Sequence, residues 1–228
     1  GGLRAVGGRG MIRVVIADDH HLVRQGIVAL LERAEDICVV GEAADGQEAV
    51  ELPRSLLPDV LLIDVAMPRL NGVEAIGRLR SLGLATRAVV LSMYADETTV
   101  RQALRQGAKG YVLKRSISEE LLLAVRAASR GEAFLSPEVS GPLLAQFADG
   151  QPPRGTEVDP WDRLSTRERE VLQRVAEGST SKEISAALGL SEKTVEKHRA
   201  GLMAKLDIHD TAGLVRFALK HGLIRLDD

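Results

Sequence analysis

Before about residue 140 the chain alternates short, wholly apolar runs with longer segments in which apolar residues recur every three or four positions. Runs of the first kind predict buried strands, and segments of the second kind predict amphipathic helices. The strand-like runs are RVVIA from Arg13, ICVVGEA from Ile37, VLLID (60–64), AVVLS (88–92) and GYVLK (110–114). Because buried strands that alternate with helices form parallel sheets, this half is expected to be an α/β domain with a five-stranded parallel sheet covered on both faces.

Pro53 interrupts one of the predicted helices, in the segment GQEAVELPRSLL. Proline lacks a backbone N–H and its ring clashes with the preceding turn, so it kinks or ends a helix. The sequence therefore predicts a break near Leu52 in an otherwise unchanged fold.

The pattern of the second half is wholly helical. Ser165 followed by Glu168 is a capping-box arrangement that begins a helix, and Gly178 ends it. A short helix is expected over 181–188. A glycine turn then leads to a longer basic helix that Ser191 caps and that runs to about residue 206. This is the helix-turn-helix pattern, whose second helix enters the major groove of DNA. A fourth helix is expected over 211–221.

Between the two patterns lies ADGQPPRGTEVDP (148–160), whose proline, glycine and scattered charge are typical of a linker. We therefore divide the chain into four ranges: 1–10, a Gly/Arg-rich disordered arm or a leftover ahead of a true start at Met11; 11–135, the α/β domain; 136–162, the linker; and 163–228, an all-α four-helix domain.

Composition and charge narrow the class of protein. No apolar run is long enough to cross a membrane, and the N-terminal arm lacks the apolar core of a secretory signal. The single cysteine, Cys38, excludes an intrachain disulfide and fits a reducing cytoplasm, where we expect the protein to work. The α/β domain carries 15 Lys and Arg against 17 Asp and Glu, whereas residues 164–222 carry 10 against 8. The helical half is thus slightly basic, as in a nucleic-acid-binding domain.

Polar side chains stand at the ends of four predicted strands: Asp18 and Asp19, Asp64, Ser92 and Lys114. Since the carboxyl ends of parallel strands meet at one edge of a sheet, these side chains are expected on a single rim. Three carboxylates there would favour a hard cation such as Mg²⁺. The cation and Lys114 would offset the repulsion between adjacent aspartates. Asp64 could then attack phosphorus, with Ser92 and Lys114 binding the phosphoryl oxygens.

With these residues in this order, the chain from Met11 to about Leu135 resembles the receiver domain of two-component response regulators, which has a flavodoxin-like fold. The resemblance implies that Asp64, in LLIDVAMP, is the phosphoacceptor. It also implies a Mg²⁺ site in which Asp19 binds the ion directly and Asp18 helps through water. Asp64 and the backbone carbonyl of Ala66 complete that site.

The resemblance assigns three further roles in the receiver. Ser92 would be the switch hydroxyl, Lys114 the phosphate-binding lysine and Tyr111 the aromatic switch. On phosphorylation Ser92 is expected to move toward the phosphoryl group and Tyr111 to turn inward. Met67-Pro68 and Asn71-Gly72 match the loop that follows the acceptor in this family.

The helical half resembles the LuxR-type DNA-binding domain over about sixty residues from Leu164, through LSTREREVL, GSTSKEI, LSEKTVEKHR and the KLDI turn. The resemblance implies DNA contacts from residues on the second and third helices: Lys182, Lys193, Thr194, Glu196, Lys197, Arg199 and Lys205. Glu196 departs from the pattern, because many relatives carry lysine there. Its carboxylate could accept a hydrogen bond from cytosine, or only repel phosphates and set the register.

Several of these residues also have simpler interpretations. Asp18 and Asp19 could be a helix cap and its solvated neighbour, which is common before a helix. Tyr111 could simply fill the core. Lys193 and Lys205 could be solvated surface charges.

Together the resemblances imply a phosphorylation-dependent transcription regulator of the NarL/FixJ class rather than an enzyme. A sensor histidine kinase would phosphorylate Asp64, and the signal would pass to dimerisation or to release of the DNA-binding half. The expected partners are the kinase, double-stranded promoter DNA and a second copy of the chain, with no membrane.

Two alternatives stay open at this point. The receiver could be a phosphorylation-independent dimerisation module, although the intact set of acidic, hydroxyl and lysine side chains argues against it. An aspartyl-phosphate enzyme of the haloacid-dehalogenase type would carry a second aspartate two positions after the nucleophile, where this chain has Ala66.

Overall fold

The five predicted strands form a parallel sheet in the computed structural model, which describes residues 10–148, 160–221 and 223–224. A sixth short strand, absent from the prediction, extends the sheet, and the strand order is β2-β1-β3-β4-β5-β6. The strands are β1 (Ile12–Ala17), β2 (Ile37–Ala43), β3 (Val60–Asp64), β4 (Arg87–Ser92), β5 (Gly110–Leu113) and β6 (Phe134–Leu135).

Helices cover both faces of this sheet, because successive side chains of a buried strand point to opposite faces. In β1, Val15 and Ala17 join a core with α2, α3 and α4, whereas Val14 and Ile16 join a second core with α1 and α5. The helices are α1 (His21–Leu31), α2 (Glu48–Leu56), α3 (Gly72–Ser81), α4 (Glu97–Gln106) and α5 (Ile117–Ser129). The predicted α/β architecture is therefore confirmed.

The predicted helix break at Pro53 is wrong, since α2 continues through it to Leu56. Pro53 leaves the Ala49 carbonyl without its helical donor. Burial of Ala49, Val50 and Pro53 in the core offsets that loss, and the chain turns only at Leu57, which has a φ of 47°.

The predicted linker, 136–162, begins with ordered structure. Residues Pro137–Ala148 form a helix, α6, that contacts α4, with Val139 buried in the receiver core. Strand β6 leads into α6, and Tyr111 accepts a backbone hydrogen bond from the buried Ser136. Val139 and Leu143, which pack in the core on the α4 face of the sheet, attach this helix to the α/β domain. The arm at 1–9 and most of the proline-rich segment, 149–159, lie outside the described residues.

The second half contains the four predicted helices: α7 (Thr166–Ala176), α8 (Ser181–Leu188), α9 (Glu192–Leu206) and α10 (Thr211–Lys220). The Ser165–Glu168 capping box is present. Gly189 ends α8 with a φ of 64° and Ser191 caps α9, so the turn of the helix-turn-helix is built as the sequence predicts. The apolar faces surround Trp161, which is 1% exposed.

Candidate functional site

The predicted polar rim exists at the carboxyl edge of the sheet. Asp18 directly follows β1, Asp64 ends β3, Ser92 ends β4 and Lys114 follows β5. Neighbouring strands keep these ends level, because Asp64 is in register with Leu91, and Ser92 with Leu113.

Lys114 joins the two buried carboxylates of the rim. Its Nζ lies 2.6 Å from Asp18 Oδ2 and 3.1 Å from Asp64 Oδ2. Asp18 and Asp64 are fully buried, and the Lys114 side chain is 7% exposed. A buried carboxylate needs a positive partner, and here one ammonium group holds both.

The rim offers an oxygen-rich donor set for a cation. Ligand atoms of Asp18, Asp19, His20 and Asp64 lie within 4.8 Å of one another. The carboxylates of this group fit a hard divalent cation such as Mg²⁺. His20 occupies the N-cap position of α1, and its Nδ1 lies 2.8 Å from Asp19 Oδ1.

The loop between β3 and α3 is tightly packed behind Asp64. A Cβ added to Gly72 would lie 2.0 Å from the Asp64 backbone carbonyl oxygen, so only glycine fits. Gly72 N donates to the Val65 carbonyl at 2.8 Å, and Arg69 adopts a positive φ of 67°. This closed loop holds Ala66 beside Asp64 at the rim.

Ser92 and Tyr111 both bond to the chain that follows β4. Ser92 Oγ accepts from Tyr94 N at 3.1 Å, and the Tyr111 hydroxyl donates to the Tyr94 carbonyl at 3.0 Å. Tyr111 is fully buried, and burial raises its pKa to about 12 despite a hydrogen bond from Ser92. Tyr111 is therefore buried with its hydroxyl bonded to the chain after β4, and its role as a switch stays a prediction.

The helical half is docked against this loop through α7. Gln173 is 1% exposed, and its Nε2 donates to the Met67 carbonyl at 2.8 Å. Its Oε1 accepts from Asn71 N, also at 2.8 Å. Asn71 in turn caps α3 by accepting from Glu74 N. One side-chain amide thus bridges both arms of the loop after the candidate acceptor.

Ion pairs between α7 and α3 surround that amide. Arg169 Nη1 lies 2.9 Å from Glu74 Oε1, and Arg78 pairs with Glu170. Burial raises the pKa of Glu74, although Arg169 opposes this. The sequence pattern did not indicate these residues, because a polar helix face ordinarily faces solvent. Here the apolar face of α7 packs in its own domain and the polar face packs on the receiver.

The predicted DNA-reading surface is open in this arrangement. Lys193, Glu196 and Lys197 on α9 and Lys182 on α8 are exposed, while Val195 and Leu202 point into the core. The receiver therefore does not cover the outward face of α9.

Four of the predicted DNA contacts also bond within the domain. Glu196 accepts from Ser181 Oγ and so ties α9 to α8. Arg199 Nη2 donates to Thr211 at 2.7 Å, and Thr194 bonds Ser191 at the start of α9. Lys205 Nζ lies 2.7 Å from Glu168 Oε2 and so supports the capping box of α7.

The two halves match two family models. The response regulator receiver domain matches residues 14–126, and the bacterial regulatory proteins of the luxR family match residues 162–218. The chain is 38% identical over 214 residues to the transcriptional regulatory protein LiaR of Bacillus subtilis, covering 94% of this chain and 100% of LiaR. It is 39% identical over 215 residues to the oxygen regulatory protein NreC of Staphylococcus haemolyticus, covering 93% and 99%.

Solved structures of response regulators are also similar to this chain. RcsB from Salmonella enterica serovar Typhimurium, bound to promoter rprA with the phosphomimetic BeF₃⁻, has a TM-score of 0.62 at 29% identity and covers 91% of this chain and 98% of RcsB. The signal receiver domain of the Mycobacterium tuberculosis response regulator NarL is 41% identical with a TM-score of 0.53, and covers 54% of this chain and 99% of that domain.

Among the described residues, no helix is both long and apolar enough to span a membrane. Four observations indicate the same family: the receiver fold, its acidic rim, the helix-turn-helix half, and relatives that match nearly the whole length of the chain. The chain belongs to the two-component response regulators of the NarL/FixJ class, and is a phosphorylation-dependent DNA-binding transcription regulator with a receiver domain and a LuxR-type helix-turn-helix domain.

Proposed function

We propose that Asp64 is the residue that accepts the phosphoryl group. The observation that carries the proposal is the pairing of Lys114 Nζ with both Asp18 and Asp64 inside the acidic rim. This geometry places a positive charge against the Asp64 carboxyl group, and an adjacent positive charge favours the carboxylate form, which is the nucleophile. It also sets an ammonium group where the new phosphoryl oxygens would develop charge.

Asp18, Asp19, Asp64 and the Ala66 carbonyl are the residues that would hold Mg²⁺, which when bound offsets the charge of the incoming phosphoryl group. Asp64 then attacks phosphorus, and the bond from phosphorus to the donor breaks. Lys114 binds one oxygen of the product. The Ser92 hydroxyl breaks its hydrogen bonds with Tyr94 and donates a hydrogen bond to a second oxygen of the phosphoryl group. The chain needs no base for this step, since the acceptor is already a carboxylate.

The phosphoryl donor that we propose is a sensor histidine kinase, and the output is binding to double-stranded promoter DNA. Lys182 on α8 and Lys193 and Lys197 on α9 are exposed and would contact phosphates. Glu196, Arg199, Thr194 and Lys205 would chiefly position the helices, given their bonds within the domain. We expect the chain to act in the cytoplasm, because both its proposed target, DNA, and its proposed phosphoryl donor, a kinase, are available there.

The output step that we propose begins at the loop after Asp64. A phosphoryl group there changes the charge next to Ala66 and Met67, and Gln173 holds Met67 in the docked form. Release of α7 would then free the DNA-binding half to pair with a second copy on adjacent half-sites. Because the outer face of α9 is already exposed, release would change domain geometry rather than uncover the helix. The receiver in this proposal includes α6, so that it ends near residue 148.

The test is intact mass with light scattering, in Mg²⁺ and acetyl phosphate, on the wild type and Asp64→Asn. One phosphoryl group on the wild type alone, with a shift from monomer to dimer, would support both the acceptor and the assembly step. Modification without assembly would keep the acceptor and leave release as the output. No modification, with unchanged DNA binding, would instead favour a receiver that serves only as a dimerisation module.

A further inference from the structure

His20 stands where the acidic rim meets the first helix of the receiver. It occupies the N-cap position of α1, where a Ser, Thr, Asp or Asn side chain usually accepts a hydrogen bond from the first turn. Within the part of the chain that the structure describes, the His20 side chain makes no capping bond. Its Nδ1 lies instead 2.8 Å from Asp19 Oδ1 and 3.4 Å from Asp18 Oδ1. The side chain therefore belongs to the rim rather than to the helix.

These separations are those of neighbouring ligands on one metal ion. Two ligand atoms that each lie about 2.1 Å from an octahedral ion are about 3.0 Å apart when they are adjacent and about 4.2 Å apart when they are opposite. The two distances from His20 Nδ1 bracket the value for adjacent ligands. One ligand atom from each of Asp18, Asp19, His20 and Asp64 lies within 4.8 Å of the other three. A small closure of the rim would therefore bring all four onto one ion.

The backbone fixes the His20 imidazole in this place. His20 N donates to Asp18 Oδ1 at 2.8 Å, and the His20 carbonyl accepts from Arg24 N at 3.0 Å in the first turn of α1. The His20 side chain is 50% exposed, so an ion can reach it from solvent without disturbing the core. In the tautomer that carries its proton on Nε2, the ring presents the Nδ1 lone pair to the rim.

Lys114 leaves this side of the rim open. Its Nζ contacts the Oδ2 atoms of Asp18 and Asp64, whereas His20 faces Oδ1 of Asp18. The ammonium group and the imidazole thus lie against different oxygens of the same carboxylate. An ion held by His20, Asp19 and Asp18 Oδ1 would leave the two Lys114 contacts in place.

A nitrogen ligand changes which ions a site prefers. Mg²⁺ is a hard cation that takes oxygen ligands, so carboxylates alone suit it. Imidazole suits first-row transition ions and Zn²⁺, and the affinity of a mixed nitrogen and oxygen site is higher for Zn²⁺ than for Mn²⁺. With His20 the rim becomes such a mixed site, and without it the rim is a site of carboxylates.

We propose that His20 is a nitrogen ligand of the acidic rim, and that it makes the rim select divalent ions that accept imidazole, such as Mn²⁺ and Zn²⁺, over Mg²⁺. The proposal rests on the rim being the cation site of the proposed function, and it adds a ligand and a selectivity to that site. The ion that assists phosphorylation of this chain would then depend on which divalent ions are available.

Competition for bound Mn²⁺ measures this selectivity in the full chain, prepared without an affinity tag. The room-temperature electron paramagnetic resonance signal reports free Mn²⁺, so it follows the displacement of bound Mn²⁺ by Mg²⁺ or by Zn²⁺. The proteins are the wild type, His20→Gln and the matched control His21→Gln. His21 is the first residue of α1, and its ring contacts Arg24 rather than the rim.

The measured quantity is the ratio of the Mg²⁺ and Zn²⁺ concentrations that displace half of the Mn²⁺. We expect this ratio to fall at least about tenfold in His20→Gln and to change less than about twofold in His21→Gln. An unchanged ratio in His20→Gln would overturn the proposal. Equal weakening of both ions would overturn it too, because His20 would then only hold Asp19 in position.

Pulsed electron paramagnetic resonance of the bound Mn²⁺ gives a second readout. Modulation from a directly bound imidazole nitrogen is expected in the wild type and in His21→Gln, and should be lost in His20→Gln. Nitrogen modulation that survives in His20→Gln would assign the ligand to another residue and contradict the proposal. Failure of the rim as the cation site looks different, because Asp19→Asn and Asp64→Asn would then bind Mn²⁺ as tightly as the wild type.

Discussion

The Gln173 side-chain amide donates a 2.8 Å hydrogen bond to the backbone carbonyl of Met67, three residues after Asp64. This bond joins the first helix of the DNA-binding half to the loop that carries the candidate acceptor. The two halves therefore meet at α7 and the loop after β3, while the outward face of α9 stays exposed.

Gln173→Ala removes the hydrogen bonds of that amide with Met67, Asn71 and Glu177, and among the described residues leaves the Met67 carbonyl and the Asn71 N–H without a partner. Because a buried polar group left unpaired costs about 1–3 kcal/mol, the docked form is expected to open. Small-angle X-ray scattering should show a larger radius of gyration than in the wild type. Glu132→Ala, in an exposed ion pair with Arg130, is the control and should leave the radius unchanged. An unchanged radius in Gln173→Ala would mean that the ion pairs alone hold the halves.

Gly72→Ala is expected to destabilise the receiver, because the new methyl group would lie 2.0 Å from the Asp64 carbonyl oxygen. Overpacking of this kind costs about 1–3 kcal/mol, and phosphorylation by acetyl phosphate should fall with it. The matched control is Gly26→Ala in α1, where nothing lies within 4 Å of the added carbon. That change should stabilise the chain by roughly 0.5–1 kcal/mol. Urea unfolding measures the free energy of unfolding of both variants. Changes in the same direction would contradict the prediction.

Lys205→Met tests the ion pair that supports the start of α7. Burial raises the pKa of Glu168, but hydrogen bonds from Lys205 and Ser165 outweigh burial and hold it below the usual 4.5. A lowered carboxyl pKa contributes stability that is present above the unfolded pKa and is lost as the pH falls through the folded pKa. The substitution should cost about 1 kcal/mol at neutral pH, and this cost should shrink in acid.

Urea unfolding of the Lys205 variant, followed by Trp161 fluorescence from neutral pH down to the acid range, gives the measurement. Lys193→Met, exposed in the first turn of α9, is the control and should show no such pH dependence. A cost that stays constant into acid would show that Lys205 acts through packing and not through its charge.

Docking of the two halves should depend on pH. Burial raises the pKa of Glu74, where Arg169 and Arg78 oppose and Glu170 adds to the rise. Burial also raises the pKa of Glu177, against a hydrogen bond from Gln173. Undocked, both carboxyls are expected near the usual 4.5. At pH values between the usual pKa and the raised pKa values of Glu74 and Glu177, the docked form therefore binds more protons than the undocked form. Docking should strengthen as the pH falls through this range.

Scattering at constant ionic strength, from about pH 8 down to about pH 5, measures the effect of these carboxyls on docking. The radius of gyration should decrease as the pH falls, and Glu74→Gln should flatten the curve. A radius that grows as the pH falls would reverse the sign of the linkage and contradict the assignment.

Lys197→Ala should weaken binding to a generic DNA duplex. Log affinity falls with log salt concentration, and one fewer phosphate contact should make this negative slope shallower by about 0.9. Fluorescence anisotropy over a salt series gives that slope. Lys109→Ala in the receiver is the control of equal charge change, and an equal effect of both variants would assign the loss to overall charge.

The sequence alone determined the two domain types, the polar rim and the helix-turn-helix. Apolar periodicity is a local property, and the carboxyl ends of parallel strands meet wherever the sheet forms, so the strand pattern by itself places Asp18, Asp64 and Lys114 on one rim. Capping at Ser165 and Ser191 is local as well, and both caps are present as predicted.

The tertiary structure alone decided how the two halves meet. The polar face of α7 has the same pattern as a solvated face, and nothing near Gln173 in the chain indicates its bond to a loop more than a hundred residues away. The continuation of α2 through Pro53 and the attachment of α6 to the receiver also depended on burial against distant residues. Local periodicity shows which face of a helix is apolar, but the partner of its polar face is set by long-range packing.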